Sequence, residues 1–407
     1  MLKTKTNDEK ADTLLTKSLV PIIDLAHCGT EECPVRSVVN RVGQQLHKAL
    51  SEKGLALLVN HGIADEKLKT AWDHLDDFVD LPTDVKEHYI RTGEDNHGYV
   101  SPGLECFDGK IPELRHAFNI CTLNAKDLPE EPLPGFADHI STLAEDFKSL
   151  ARFLLQALAI TFDIPQTFFL ERHSHMLSGD HDNETTLRLL YYPPVIEEDE
   201  NGKNEFIKGH CKYSYQRCVT NLPDFRPEYN PRDDFNEIDG DNNRIDELNQ
   251  TTERRLPNGE MIRCGAHTDY GTFTLLAQDS EGGLEVKLTG TEKWQRLGHL
   301  PGAILVNCGE ILTIWTQARY LALPHRVVIP EQEHLRTRGR HSIAFFCHPD
   351  NLTLISPYDL PLPADVQDTT CKKTRKKSFK AAKEKVYNAY QLIQKRFRET
   401  YQNHYTS

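Results

Sequence analysis

Apolar residues recur at helical spacing along the first 160 or so positions of the chain. Val38, Val39, Val42, Leu46 and Leu50 share one face of a helix over 35–53. LALLVN, residues 55–60, then reads as a short buried strand, and a second helical pattern runs from near Ala64 to a stop at Leu81-Pro82. The longest stripe, Leu143, Phe147, Leu150, Leu154 and Leu158, predicts a helix from about Asp138 to Ile160. From Thr185 the pattern changes to short runs punctuated by Gly and Pro: LRLLYYP, FTLLAQD, LEVKL, WQRL, AILVNC, HRVVIP and HSIAFFCH. Short strands set this closely predict a sandwich or barrel rather than alternating β/α units. Val386, Tyr390, Ile393 and Phe397 restore a helical period at the end. The pattern therefore divides the chain into a mainly helical region over 19–165, a β core over 185–360 and a terminal helix over 378–403.

One stretch, 195–260, breaks the core. Residues 197–260 hold 16 Asp and Glu against 9 Lys and Arg, a net of −7 out of −13 for all 407 residues. Acidity is thus partly a property of this insertion, which reads as a surface loop. Its Asp239-Gly-Asp-Asn-Asn243 fails as a calcium loop, because Arg244 stands where glycine is required and Gln250 where glutamate closes the loop. The net charge argues against general nucleic-acid binding. The basic run over 372–377 reads as a solvated turn before a helix, with a targeting role as the alternative. No run of about 18 apolar residues could cross a bilayer, and the lysine-bearing amino terminus lacks the apolar segment of a secretory signal. Ten scattered cysteines without a CxxC pair fit reduced thiols in a cytoplasmic protein.

Chemistry enters at CGAHTDYGTFTLLAQD. On a strand, His267 and Asp269 at i and i+2 would point one nitrogen and one oxygen to a common side. A metal suits that pair if a third ligand joins it, and His325 at the entrance of a later strand is the candidate. Two histidines and one carboxylate on one face of an octahedron leave three positions open, as non-haem Fe(II) requires. Zinc fits the same ligands but lacks an obvious general base nearby. Arg340 and Ser342, again at i and i+2, offer a guanidinium and a hydroxyl to the far end of a dicarboxylic acid.

With these motifs the sequence resembles the iron(II)/2-oxoglutarate-dependent dioxygenases of the isopenicillin N synthase-like family. The resemblance runs through VPIIDL, LALLVNHGI, LRLLYYPP, HTDYGTFTLLAQDSEGGLEV, PGAILVNCGEILTIWTQARY, PHRVVIP and RHSIAFFCHPD. It implies a double-stranded β-helix (jelly-roll) core with flanking helices. It also implies Fe(II) on His267, Asp269 and His325, and 2-oxoglutarate on Arg340 and Ser342, with Tyr192 beside it. O2 is the oxidant, with room for ascorbate, and the co-substrate leaves as succinate and CO2 while a small organic molecule is oxidised, by default hydroxylated. Four departures stand out: Leu190 where Asn is frequent, Leu323-Pro324 before the distal histidine, a long interval from His325 to Arg340, and the acidic insertion.

Two rival readings remain open, a 2-oxoglutarate-independent oxidase or cyclase of the same fold and a ligand-binding module without turnover. No membrane, nucleic acid or defined protein partner is expected. His341 should face away from Arg340 and Ser342 and be structural. His299, His334 and His348 carry no assigned role. Trp294 and Trp315 read as packing, and Cys308 and Cys347 as buried small hydrophobes. Phe107, Arg115 and Phe118 are candidate pocket residues for which surface or core roles are favoured. The acidic insertion favours a cationic substrate.

Overall fold

In a computed structural model of the chain, the described residues are 14–15, 20–26, 28, 35–92, 96–105, 113–194, 261–291, 293–329, 338–357, 359–361 and 387–401. The expected insertion over 195–260, the basic run, Phe107 and His334 lie outside them. The first part of the chain forms β1 (Leu14–Leu15), β2 (Ile22–Asp24), α1 (Arg36–Lys53), β3 (Leu55–Val59), α2 (Asp65–Asp80), α3 (Thr83–Glu87), β4 (Gly98–Val100) and β5 (His116–Ile120). Next come α4 (Phe136–Thr161), α5 (Thr167–Leu170), β6 (Thr186–Tyr192), β7 (Met261–His267), β8 (Phe273–Gln278), β9 (Leu284–Lys287), β10 (Trp294–Leu297) and β11 (Ile304–Cys308). The remainder is α6 (Glu310–Trp315), β12 (His325–Ile329), β13 (Arg340–Cys347), β14 (Leu354–Ile355), β15 (Tyr387–Asn388) and α7 (Ala389–Tyr401).

Two sheets face each other. The larger runs β2-β3-β11-β8-β13-β6-β5-β4 and the smaller β1-β10-β9-β12-β7, which is the jelly-roll arrangement expected from the clustered short strands. The mainly helical amino-terminal region also feeds the larger sheet: β3, read as a strand from its sequence, pairs with β11, and β2, β4 and β5 join it, with β5 paired to β6. β2 and β4 are too short, and β5 too polar, for periodicity to separate them from loops. At the other end the helix begins at Ala389, after Tyr387 and Asn388 pair with β14 as a strand.

The outer face of the larger sheet carries the helices. α1 ends at Gly54, whose left-handed φ of 76° lets its N–H cap the Leu50 carbonyl and the chain turn directly into β3. α4 buries one stripe against α1 and the sheet, and Phe147 stacks on Phe345 of β13 at a centroid distance of 5.8 Å. Truncating such a ring costs about 3–5 kcal/mol. Alternation along the central strands then separates two environments. Ile343, Phe345 and Cys347 of β13, like Leu187, Leu189 and Tyr191 of β6, belong to the core under the helices. Arg340, Ser342, Ala344 and Phe346, with Leu190 and Tyr192, point into the space between the sheets. That space holds the site.

Candidate active site

β7 and β12 are antiparallel neighbours, and His267 and His325 are direct partners in their register, with ring centroids 4.3 Å apart. β7 stops at His267, so Asp269 does not reach the site by strand alternation as the i, i+2 spacing suggested. It sits in the turn between β7 and β8. That turn is fixed by backbone bonds from Glu310 N–H to the Asp269 carbonyl (2.9 Å), Gly309 N–H to Thr272 (3.0 Å) and Thr272 N–H to Cys347 (2.8 Å). The chains touch so closely that a Cβ on Gly309 would lie 2.2 Å from the Gly271 carbonyl oxygen, and one on Gly271 would lie 2.4 Å from that of Cys347. Glycine is required at both positions. The outcome is a cluster in which one ligand atom from each of His267, Asp269 and His325 lies within 4.8 Å of the others.

The hydrogen bonds around the cluster orient its lone pairs. His267 Nδ1 lies 2.9 Å from the Gly265 carbonyl and His325 Nδ1 lies 3.1 Å from that of Leu323. A carbonyl only accepts, so each ring carries a proton on Nδ1, which leaves Nε2 as the nitrogen that could bind a metal. Burial, reinforced by the adjacent His325, pushes His267 down to about 3 and keeps it neutral. Asp269 is buried, which opposes ionisation. The neighbouring imidazoles and hydrogen bonds from Thr274 and Asn307 outweigh this and hold its carboxyl below the usual range. Asn307 Nδ2 donates to Oδ2, while Oδ1 stands 3.7 Å from His325 Nε2, too far for a direct hydrogen bond. Two nitrogens and one carboxylate oxygen converging without bonding one another fit a divalent iron.

Two cavities of similar size, about 60 and 50 Å³, meet at His267 and Asp269. The first is lined by Arg340, Ser342, Tyr192 and Arg115 among apolar side chains. Arg340 is buried; its Nε donates to the Gly282 carbonyl at 2.8 Å, Nη1 to Ser342 Oγ at 3.2 Å and Nη2 to Gln278 Oε1 at 3.0 Å. Its guanidinium lies 5.1 Å from the centre of the Tyr192 ring, its partner across the β6–β13 pair. A fork held in this way fits the distal carboxylate of a dicarboxylic acid. Leu190, a departure from the resembled pattern, lines the same wall.

The second cavity lies beyond the triad. Thr186 and Arg188 of β6 line it, continuing the inward face of Leu190 and Tyr192, together with Asn96, Glu105, His348 and Phe346. The aromatic rings of Tyr270 and Phe397, with Thr400 beside them, form another side. α7 is tied down there: Tyr270 Oη lies 2.7 Å from Thr400 Oγ1, and Arg396 pairs with Glu310.

Sequence reasoning placed His341 correctly on the opposite face. It contacts Asp76 at 2.8 Å and Asp279 at 3.6 Å and stacks on Tyr191. Burial pulls its pKa down, but hydrogen bonds to those two carboxylates win and push it up to about 9. Trp315, Cys308 and Cys347 are buried as expected, and Phe118 is helix-side core. Arg115 is neither surface nor plain core, since it lines the first cavity. Asn307, Gln278, Glu105, Glu113, Arg188 and His348 were not foreseen as site residues. Strand alternation from Tyr192 back to Arg188, and from Ser342 on to Phe346 and His348, could have found two of them. Glu113 accepts from Gly265 N–H at 2.9 Å, and its burial pushes it up to about 7 against the pull of Arg115.

Comparison with known proteins agrees with this geometry. Residues 183–349 match the profile of the 2OG-Fe(II) oxygenase superfamily, and residues 20–138 that of the non-haem dioxygenase in morphine synthesis N-terminal region. A 1-aminocyclopropane-1-carboxylate oxidase of Dictyostelium mucoroides is 24% identical over 348 residues, covering 81% of this chain and 82% of its own. The proline hydroxylase buaE of Petromyces alliaceus is 28% identical over 326 residues, covering 75% and 81%. In fold, the chain is similar to a full-length Neurospora crassa protein solved in complex with alpha-KG and thymine, with a TM-score of 0.62, 21% identity and coverage of 94% and 96%. Among the described residues no helix is long and apolar enough to cross a membrane. From the two matched regions, the jelly-roll and the histidine–carboxylate cluster inside it, the chain belongs to the 2-oxoglutarate- and Fe(II)-dependent oxygenase superfamily.

Proposed function

We propose that this is an isopenicillin N synthase-like dioxygenase that hydroxylates a small organic substrate. In this reading His267, Asp269 and His325 hold the iron, Arg340 and Ser342 hold the distal carboxylate of 2-oxoglutarate, and Tyr192 forms the floor beneath that carboxylate. When bound, Fe(II) with 2-oxoglutarate and O2 supplies the oxidising power that opens an unactivated C–H bond. The chain's own residues do the positioning. Asn307 fixes the Asp269 carboxylate, the Gly265 and Leu323 carbonyls fix the two imidazoles, and the apolar lining of the first cavity excludes water. The observation that carries the reading is the direct cross-strand pairing of His267 with His325 in a cavity that also contains Arg340. The substrates named for the two relatives, an amino acid with a three-membered ring and proline, support a small molecule.

Anaerobic titration with Fe(II) and then 2-oxoglutarate tests it. A visible metal-to-ligand charge-transfer band is expected in the wild type and not in Asp269→Ala or Arg340→Ala at the same concentrations. Iron binding without a band would point to an oxidase that works without 2-oxoglutarate. No iron binding would leave a module without turnover.

A further inference from the structure

Most polar side chains on the wall of the second cavity have a partner. Asn96 Nδ2 donates to Thr186, Arg188 pairs with Glu105, Tyr270 bonds Thr400, His267 bonds the Gly265 carbonyl and Asp269 accepts from Asn307. The His348 ring differs: among the described residues neither of its nitrogens has a hydrogen-bond partner, although the residue is only 3% exposed. Its backbone, by contrast, is tied on both sides. The N–H donates to Thr185 Oγ1 at 3.1 Å, and the carbonyl accepts from Asn183 Nδ2 at 2.9 Å. Buried polar atoms are nearly always paired, and an unpaired imidazole opposes folding, so an apolar ring would fill the same space at less cost. The position therefore points to a ligand that completes it.

The surroundings of the ring decide what it offers. It stacks on Phe346 at a centroid distance of 6.5 Å. On another side a Cβ on Gly271 would lie 2.6 Å from His348 Nδ1 and 2.9 Å from Cε1, so that edge packs on the glycine backbone. Burial pushes His348 down to about 3, and the neutral ring holds one proton. Nδ1 is sealed off without an acceptor. A buried N–H without an acceptor is rarer than an acceptor left bare, which puts the proton on Nε2, the nitrogen not closed off from the cavity. The wall thus presents a neutral donor beside the rings of Tyr270, Phe346 and Phe397. A carbonyl meets such a donor with an acceptor alone, whereas a hydroxyl brings a second donor that needs a partner of its own.

We propose that His348 is a specificity-determining residue of the second cavity, its Nε2–H donating to the carbonyl oxygen of an uncharged small molecule whose apolar or cyclic body lies among Tyr270, Phe346 and Phe397. The inference rests on the functional reading above, which puts iron at His267 and Asp269, the junction of the two cavities.

The test uses the full chain with Fe(II) and 2-oxoglutarate under anaerobic conditions and reads shifts of the charge-transfer band. The probes are cyclopentanone, cyclohexanone and acetophenone, each beside the hydrocarbon with a methylene in place of the carbonyl. At least one ketone is expected to shift the band at a concentration about tenfold or more below that of its hydrocarbon. His348→Leu should weaken that ketone by about tenfold and leave the hydrocarbon nearly unchanged. His348→Gln, whose amide nitrogen takes the place of Nε2, should keep the preference for the ketone, and His348→Asn, which reaches only the place of Nδ1, should lose it. Equal shifts by ketones and hydrocarbons, a band that no ketone shifts, or undiminished ketone binding in His348→Leu would each overturn the proposal. If circular dichroism shows that His348→Leu does not fold, equal ketone binding by His348→Gln and His348→Asn overturns it instead. Nitrogen NMR of the histidine-labelled chain without iron should find the His348 proton on Nε2, and a proton on Nδ1 would also overturn it. Absence of the band in the wild type would sink the functional reading itself, so the two failures are distinguishable.

Discussion

The two cavities that meet at the triad are built differently. The first is a wall of regular strand: Tyr192 opposite Arg340 and Leu190 opposite Ser342, each rung set by the β6–β13 register. The second adds to Thr186 and Arg188 of β6 and Phe346 of β13 a set of scattered pieces: Asn96 and Glu105 from either side of β4, Tyr270 from a turn and Phe397 and Thr400 from the terminal helix. Strand register leaves few ways to place a guanidinium, so the first cavity suits a ligand that does not change. Loops and helix ends tolerate substitution without disturbing the sheet, so the second suits a ligand that differs between relatives. The proposed function puts the co-substrate in the first cavity, and the difference in construction agrees with that division.

Three further perturbations sharpen that contrast. Asn307→Leu removes the donor on Asp269 Oδ2 without touching either cavity's charges. It should weaken Fe(II) binding by about 10–100-fold, the usual cost of losing an outer partner of a ligand, measured by metal titration. An unchanged affinity would mean that Asp269 is held by the backbone bonds of its turn and by Thr274, without need of Asn307.

His341 provides a control on the same strand as Arg340 but on the opposite face. Its pKa is raised from 6.5 to about 9 in the folded protein, so its contribution to stability is fully present below about 6.5 and lost as pH rises through about 9. The loss should be on the order of 2 kcal/mol, reduced by solvent screening at the half-exposed Asp76. Thermal midpoints followed from pH 6 to 10 should fall in the wild type and stay flatter in His341→Gln. Iron and 2-oxoglutarate affinity of the variant at pH 7 should match the wild type.

The smallest effect is expected at Arg396, whose pair with Glu310 is about one third exposed on each side. Arg396→Ala should cost less than about 1 kcal/mol of stability. It should loosen α7, weakening ligands of the second cavity a few-fold and leaving the charge-transfer band in place. A variant that lost the band would show that α7 supports both cavities.

How much was legible in the sequence follows the same line. Alternation in HSIAFFCH was enough to set Arg340 and Ser342 on one face and His341 on the other, because a strand's side-chain period is two whatever surrounds it. The pairing of His267 with Asp269 was legible as a motif but not as geometry. Asp269 is held by a glycine-lined turn packed on Gly309, and local spacing carries no information about that contact. Arg115 and Glu105 look like surface charges in sequence, since buried ionic residues are rare and nothing adjacent announces their partners. Helices α1, α2 and α4 were readable from one-sided burial, whereas β4 and β5 became strands through pairing with β6 and each other.

By itself, then, the sequence determined periodicities: which segments are helix or strand, which residues share a face, and which residue types could bind iron and a dicarboxylic acid. Tertiary structure decided the rest. It set His325 directly opposite His267 despite their distance along the chain, joined Glu105 to two arginines from different segments and closed the second cavity with the terminal helix. The physical reason is that alternation and amphipathicity act between neighbours, while convergence of ligands depends on sheet register, which is fixed by packing of the whole jelly-roll.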